Sequence, residues 1–555
     1  MRKVGFATLV AAATMVATPV LAEPVLIENV KGYTIRNGEL VRFDALVFGE
    51  DGKVIATGTH KELVKAHAGA VKRDGRGKVM LPGLIDAHGH VGGLGETLTT
   101  IDLSSTTSLK AALKQVSAYA AANPKAAWIR GSGWNQVIWK LGRFPNAAEL
   151  DAVLKDRPVW LERVDGHAGW ANSKTLALAG ITRDTKDPDG GRLERDAQGN
   201  PTGVLVDKAM DLVVKMLPAK TEADRSANLT AALAHMARLG LTGAHDAGVE
   251  AADIDVYRKF ADEGRLTARI YAMVGGVGED FKKVSAGGPL LGYGQDRLTV
   301  RSVKLYADGA LGSRGAALIE PYSDDPGNRG LLFKKPEAMQ ADIETALKAG
   351  FQVNVHAIGD AGNREVLDAF EGAFAKVGGR DLRNRIEHAQ VLALTDLPRL
   401  ESLGLVASMQ PTHATSDMNM AEDRVGHERI RGAYAWRTVL NQGTVIAGGS
   451  DFPVESANPF FGLHAAINRT DHEGKPVAGW HAEQAMTRVE AFRAFTLDAA
   501  YAAHQEKSLG SLEPGKWADF ILVDQDIFAV DPQLIWKTKV AETWVGGRRV
   551  FPAGR

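Results

Sequence analysis

Residues 341–360 read ADIETALKAGFQVNVHAIGD. In its first half Ile343, Ala346 and Leu347 recur at three- and four-residue spacing, the period of a helix laid against a core. Gly350 then breaks the helix, and Phe351 to Val355 form a short strand signal with His356 at its end. The same unit of helix, glycine, apolar strand and polar strand end recurs at Gly240 to Ala244, Thr299 to Leu305, Arg385 to Glu387, Gly404 to Ser408 and Thr444 to Gly448. Repeated β-then-α units predict an α/β fold with a parallel sheet, and this many units favour a closed (β/α)8 TIM barrel over an open doubly wound sheet.

Outward from this series the pattern changes at both ends. Val25 to Ile27, Ala45 to Phe48 and Lys53 to Ala56 are short β signals separated by turns such as Arg36-Asn37-Gly38, and Ala518 to Val523 and Glu542 to Val545 repeat the style. We read a split β-sandwich domain formed by residues 23–80 and 506–555, around a barrel at 81–505. From about residue 92 to about 220 a tryptophan-rich, loop-rich stretch interrupts the rhythm. It is expected to be an insertion after barrel strand 1 that roofs the active site. Residues 1–22, with Arg2 and Lys3, an apolar run and Val20-Leu21-Ala22, read as a signal peptide of an exported protein, periplasmic or secreted.

Composition excludes several partners. With 45% hydrophobic and 24% charged residues and a formal net charge of −1, the chain has no basic field for nucleic acid, and no membrane surface is implied after leader cleavage. It contains 0 cysteines, so neither a disulfide framework nor a thiolate zinc site exists, and any metal must be held by nitrogen and oxygen. No coiled-coil pattern marks an oligomer interface, which leaves homo-oligomerisation open.

The chemistry is carried by strand ends. His88 and His90 close the run Val79 to Ala87, and side chains two apart on a strand share a face, so both imidazoles reach one cation. Such a pair alone also suits ordinary strand-end histidines. The signal sharpens because Lys304, His356, His388 and Asp451 fall at the carboxyl ends of later strands, which converge on one mouth in a barrel.

With these residues in place the chain resembles the amidohydrolase superfamily, specifically amidohydrolase family 3, typified by N-substituted formamide deformylase. The supporting stretches are Pro82 to His90, Gly133-Trp134-Asn135, Val164 to Ala168, Lys304 to Arg314 (KLYADGALGSR), Asn354 to Asp360 (NVHAIGD), Arg385 to Gln390 (RIEHAQ), Gly449 to Pro453 (GSDFP) and Gly510 to Lys516. The resemblance implies two divalent metal ions. His88, His90 and Asp451 would hold the more buried one, and His356 and His388 the other. A carbamylated Lys304 would bridge them, with Asp451 as catalytic proton shuttle. Zinc suits this ligand set, as do manganese, iron and cobalt. The substrate implied is a small molecule with a non-peptide C–N bond, an amide, formamide or relative.

Rival readings stand beside this one. Lys304 also suits an unmodified barrel salt bridge or a substrate carboxylate, and the fold also serves one-metal deaminases and non-catalytic binding or regulatory proteins. Trp134, Asn135, His167, His245, Arg314, Gln410 and His413 are expected to touch substrate, each against a plain structural role. Residues 422–431 read as a solvated loop.

Overall fold

A computed structural model describes residues 23–553 except residue 125. The leader expected at 1–22 lies outside the described residues. Eight strands run parallel and in chain order in one sheet: β1 (Leu84–Gly89), β2 (Leu241–Val249), β3 (Arg269–Gly275), β4 (Leu298–Tyr306), β5 (Gln352–Ala357), β6 (Arg385–His388), β7 (Val406–Met409) and β8 (Ile446–Gly448). The short strand Leu290–Gly292 is appended antiparallel to β4. This is the TIM barrel, with helices such as Pro336–Lys348 and Asp360–Val377 between strands.

The seam between β8 and β1 is closed by side chains. The buried Asp86 carboxylate on β1 accepts from Ser450 N–H (3.0 Å), Ser450 Oγ (2.6 Å) and His88 N–H (3.1 Å). Asp451 N–H donates to His88 O at 2.7 Å. Gly449 is required here, because a Cβ would lie 2.6 Å from His88 N. The loop after β8 is thus tied to β1 and brings Asp451 beside His88.

Strands from both chain ends share one six-stranded sheet, in which Phe520–Val523 pairs antiparallel with Val79–Pro82. It packs on a four-stranded sheet containing Val25–Glu28 and Ala45–Phe48, and Ile27, Leu46, Phe48, Met80, Phe520 and Trp544 fill the space between. This sandwich is the second layer pair of the molecule.

Between β1 and β2 the stretch read as loop-rich is a six-stranded mixed sheet, ordered Gly191–Arg195, Pro201–Asp207, Ala168–Ala171, Val159–Arg163, Ile129–Trp134 and Ile101–Asp102. Its strands hide from a period-two reading. Gly133 adopts φ +89° and the register of Ile129–Trp134 shifts between Ser132 and Trp134. Residues 422–431 are likewise not a solvated loop. They form two short helical segments within Ala421–Arg429, broken at Gly426 (φ 78°), and the turn Ile430–Gly432; Ala421, Val425 and Ile430 are buried and Arg429 donates to the carbonyls of Glu320 and Pro321, while Glu422, Asp423, His427, Glu428 and Arg431 stay exposed to solvent. Among the described residues no helix is long and apolar enough to cross a membrane.

Candidate metal centre

His88, His90, Lys304, His356, His388 and Asp451 all line one cavity of about 740 Å³ at the carboxyl ends of the strands. His88 comes from β1 and His90 from the start of the following helix, Lys304 from β4, His356 from β5, His388 from β6 and Asp451 from the loop after β8. His88, His388 and Asp451 each offer a donor atom within 4.8 Å of the other two. Two of these residues pay a backbone cost for their placement: His388 holds φ +75° and Asp451 φ +61°, in the left-handed region that non-glycine residues seldom occupy.

The hydrogen bonds around the imidazoles fix which nitrogen faces inward. His88 Nδ1–H donates to the Glu387 carboxylate, His90 Nδ1–H to Ala247 O (2.8 Å) and His388 Nδ1–H to Gln410 Oε1 (2.8 Å). With Nδ1 anchored outward, each ring turns its Nε2 inward, which is how a metal-ligating histidine is held. Asp451 Oδ1 lies 3.1 Å from His90 Nε2 and 3.5 Å from His88 Nε2, yet it is buried with no hydrogen-bond partner. Imidazole nitrogens therefore surround a buried, unpartnered carboxylate oxygen, and a cation satisfies all of them at once. The residues present fit a metal.

The local charges agree. Burial, reinforced by neighbouring cationic groups, pushes His356 and His388 well below the ordinary histidine range, so both are neutral. Lys304 Nζ, 3.0 Å from His88 Nε2, is bonded to an imidazole nitrogen rather than a carboxylate, and burial lowers it to about 8. His356 leans toward Gly309 O (3.5 Å) and Asp308 Oδ1 (3.6 Å).

The other expected contacts are dispersed. His167 lines the chamber from the insertion. Gln410 acts on His388, and His413 stacks on His388 (5.8 Å between ring centres) with Nε2 3.7 Å from Asp451 Oδ2. Trp134 is not in the wall. It is fully buried in the insertion core, where Nε1–H donates to Leu161 O (2.7 Å) and the ring meets Trp170 edge-on. Asn135 spends its Oδ1 on the N–H groups of Val137 and Ile138. His245 sits beneath the chamber, accepting from Arg385 (3.0 Å), and Arg314 pairs with Asp324 (2.9 Å) beside an adjoining hollow. Sequence reasoning missed Glu387 and Asp308. The first orients His88. The second accepts backbone N–H bonds from Ala317, Ile358 and Gly359 and sets the loop over His356. A carboxylate beside a strand-end histidine was the available signal for Glu387.

Known proteins are similar to this chain over most of its length. The chain is 34% identical to YtcJ of Bacillus subtilis (strain 168), a protein assigned as an amidohydrolase, over 91% of this chain and 95% of that one. It is 27% identical to N-substituted formamide deformylase of Arthrobacter pascens, over 89% and 93%. Its fold is similar to the crystal structure of an uncharacterized metal-dependent hydrolase from Pyrococcus horikoshii OT3, with TM-score 0.76, 30% identity and coverage of 92% and 99%. Residues 73–551 match the amidohydrolase family, and the chain belongs to that family of metal-dependent hydrolases.

Proposed function

We propose that this protein is an exported amidohydrolase that uses two divalent metal ions, zinc first among them, to hydrolyse a non-peptide C–N bond in a small amide, formamide or related molecule. The observation that carries the reading is the unpartnered Asp451 Oδ1 among inward-facing imidazole nitrogens. His88 and His90 hold one ion with Asp451, His356 and His388 the other. Lys304 joins them as a carbamate, formed when its amine adds carbon dioxide and loses a proton. A buried amine against an imidazole, with no carboxylate bonded to it, supports that modification. A carbamate also replaces a cation that two metal ions would repel.

When bound, the cations supply a water acidic enough to ionise near neutral pH and polarise the scissile carbonyl. Asp451 takes the proton of the attacking water and is the shuttle that carries it away. The amine departs only once its nitrogen is protonated, because an amide anion is too poor a leaving group. The insertion walls the chamber through Glu162 to His167 and limits bulk water around the reacting atoms. Export rests on the leader at 1–22, and N-terminal sequencing of protein recovered from the periplasm tests it.

Metal analysis of the purified chain, run beside hydrolysis assays on an amide and formamide panel with zinc supplied, tests the main reading. The expected result is two ions per chain and turnover that a chelator abolishes. One ion with release of ammonia from an amino-substituted ring would favour a deaminase. Neither metal nor turnover would overturn the proposal in favour of a binding or regulatory role.

A further inference from the structure

The chamber roof carries an acid–base pair that the ligand cluster does not use. His167 lines both the metal chamber and the adjoining hollow of about 620 Å³. Its Nδ1 lies 2.8 Å from Asp207 Oδ1. A carboxylate only accepts, so Nδ1–H donates, and Nε2 is left for the cavity. Backbone contacts lock the pair: Asp207 N–H donates to His167 O at 3.0 Å, and His167 N–H to Asp165 Oδ1 at 3.1 Å. Asp207 itself holds φ 49° and ψ −127°, a sparsely populated conformation for any residue with a Cβ. Strain of this kind clusters at functional sites, and here it is kept at an aspartate whose carboxylate meets an imidazole lining a cavity.

We propose that His167 is the catalytic acid for the leaving group and Asp207 its positioning residue, an inference that rests on the hydrolase reading above. Asp451 works at the chamber floor among the ligands, and His167 at the roof, where the hollow receives the amine half of the substrate. The water O–H bond breaks with its proton going to Asp451 as the C–O bond forms. The C–N bond then breaks with its electron pair on nitrogen, and the N–H bond forms with the proton of His167 Nε2. Neutral His167 keeps Nδ1–H on Asp207, Asp451 returns its proton to solvent, and His167 regains one. The charged groups facing the imidazole suit this task. Burial and Arg163 oppose the imidazolium, but Asp207 and Asp165 outweigh them and raise His167, while His356 and Asp308 face it across the chamber.

The test compares three formyl compounds of falling leaving-group demand: N-benzylformamide, 4-nitroformanilide and 4-nitrophenyl formate. In the zinc-loaded enzyme His167→Asn should lower kcat/KM for N-benzylformamide by about 100-fold or more, and for the formate ester, whose phenolate leaves unprotonated, by less than about threefold. Asp207→Asn should move the alkaline limb of the N-benzylformamide pH profile to lower pH, because the imidazolium loses its counter-charge. Equal slowing of all three compounds by His167→Asn, or an unmoved limb in Asp207→Asn, would overturn this inference and leave the hydrolase reading standing. Failure of the wild-type enzyme to turn over any of the three would remove both.

Discussion

The barrel mouth and the insertion sheet face the same chamber but are built on different terms. At the mouth, ligands more than 360 positions apart in sequence, His88 and Asp451, are brought together because parallel strands in register end at one level. In the insertion, the wall joins the run Glu162 to His167 to Asp102, Ser104, Ser132 and Gly133 at the ends of neighbouring strands, all hung from a sheet with its own tryptophan core. The mouth is therefore specified by topology, with the imidazoles of His88, His90 and His388 each held by a group from another strand or the loop after it. The insertion is specified by local packing, and its influence on chemistry passes through how well that packing holds the wall in place. Substitutions in the two regions should fail in different ways.

The largest effect is expected at the mouth. Asp451→Asn keeps the shape of the carboxylate but removes its basicity, and kcat should fall about 1,000-fold or more while the thermal transition stays near that of the wild type. Steady-state assays with metal supplied measure it, and activity within tenfold of wild type would contradict the role of Asp451. In the insertion the counterpart is Trp134→Ala. Emptying the space of a fully buried indole and losing its bond to Leu161 O should destabilise that sheet by about 3–5 kcal/mol. Hydrogen exchange would show protection lost in Ile129–Trp134, Val159–Arg163 and Ala168–Ala171, with metal content unchanged. Loss of metal in this variant would break the distinction between the two regions.

What the sequence disclosed follows the same division. The barrel was legible because each strand is a short apolar run closed by one polar residue, so His356, His388 and Asp451 announce themselves against their own strands. Convergence of five such ends, carrying six candidate ligands, needed only the fold class. The partners that orient them were harder. Glu387 sits next to a histidine in the same motif, but its bond to His88 crosses 299 positions and depends on strand neighbours no periodicity reveals. The insertion was least legible. Glycines at 131 and 133 and a register shift erase the alternation of its strands, and a large aromatic near a motif, as Trp134 is, gives no sign of which way it faces. Asp207 offered no signal at all, since its bond to His167 spans 40 positions and depends on a backbone conformation that no periodicity reveals.

Smaller effects sharpen the comparison. Glu387→Gln retains an oxygen for His88 Nδ1 but removes the charge that keeps the ring basic toward a cation. Zinc affinity should fall about 10- to 100-fold in chelator competition, with little change in the folding transition. The same measurement on Trp134→Ala should show no loss, and equal losses in the two would mean that the insertion helps to form the metal site.

The smallest effect should come from the junction itself. Glu96, on the helix that follows β1, bonds Arg130 of the insertion and also takes Lys220 at 2.7 Å where the chain returns to the barrel. The Lys220 side chain is 37% exposed, so water and salt screen the pair, and holding a long side chain in one geometry offsets part of the attraction. Lys220→Ala should therefore cost no more than about 0.5 kcal/mol, and the difference from wild type should shrink further in high salt, since exposed charges are screened over about 10 Å at 0.1 M. Thermal denaturation at two salt concentrations reads this directly. A large, salt-insensitive loss would mean that the insertion is held to the barrel by this ion cluster rather than by its own core and its covalent connections, and the two regions would then have to be treated as one mechanical unit.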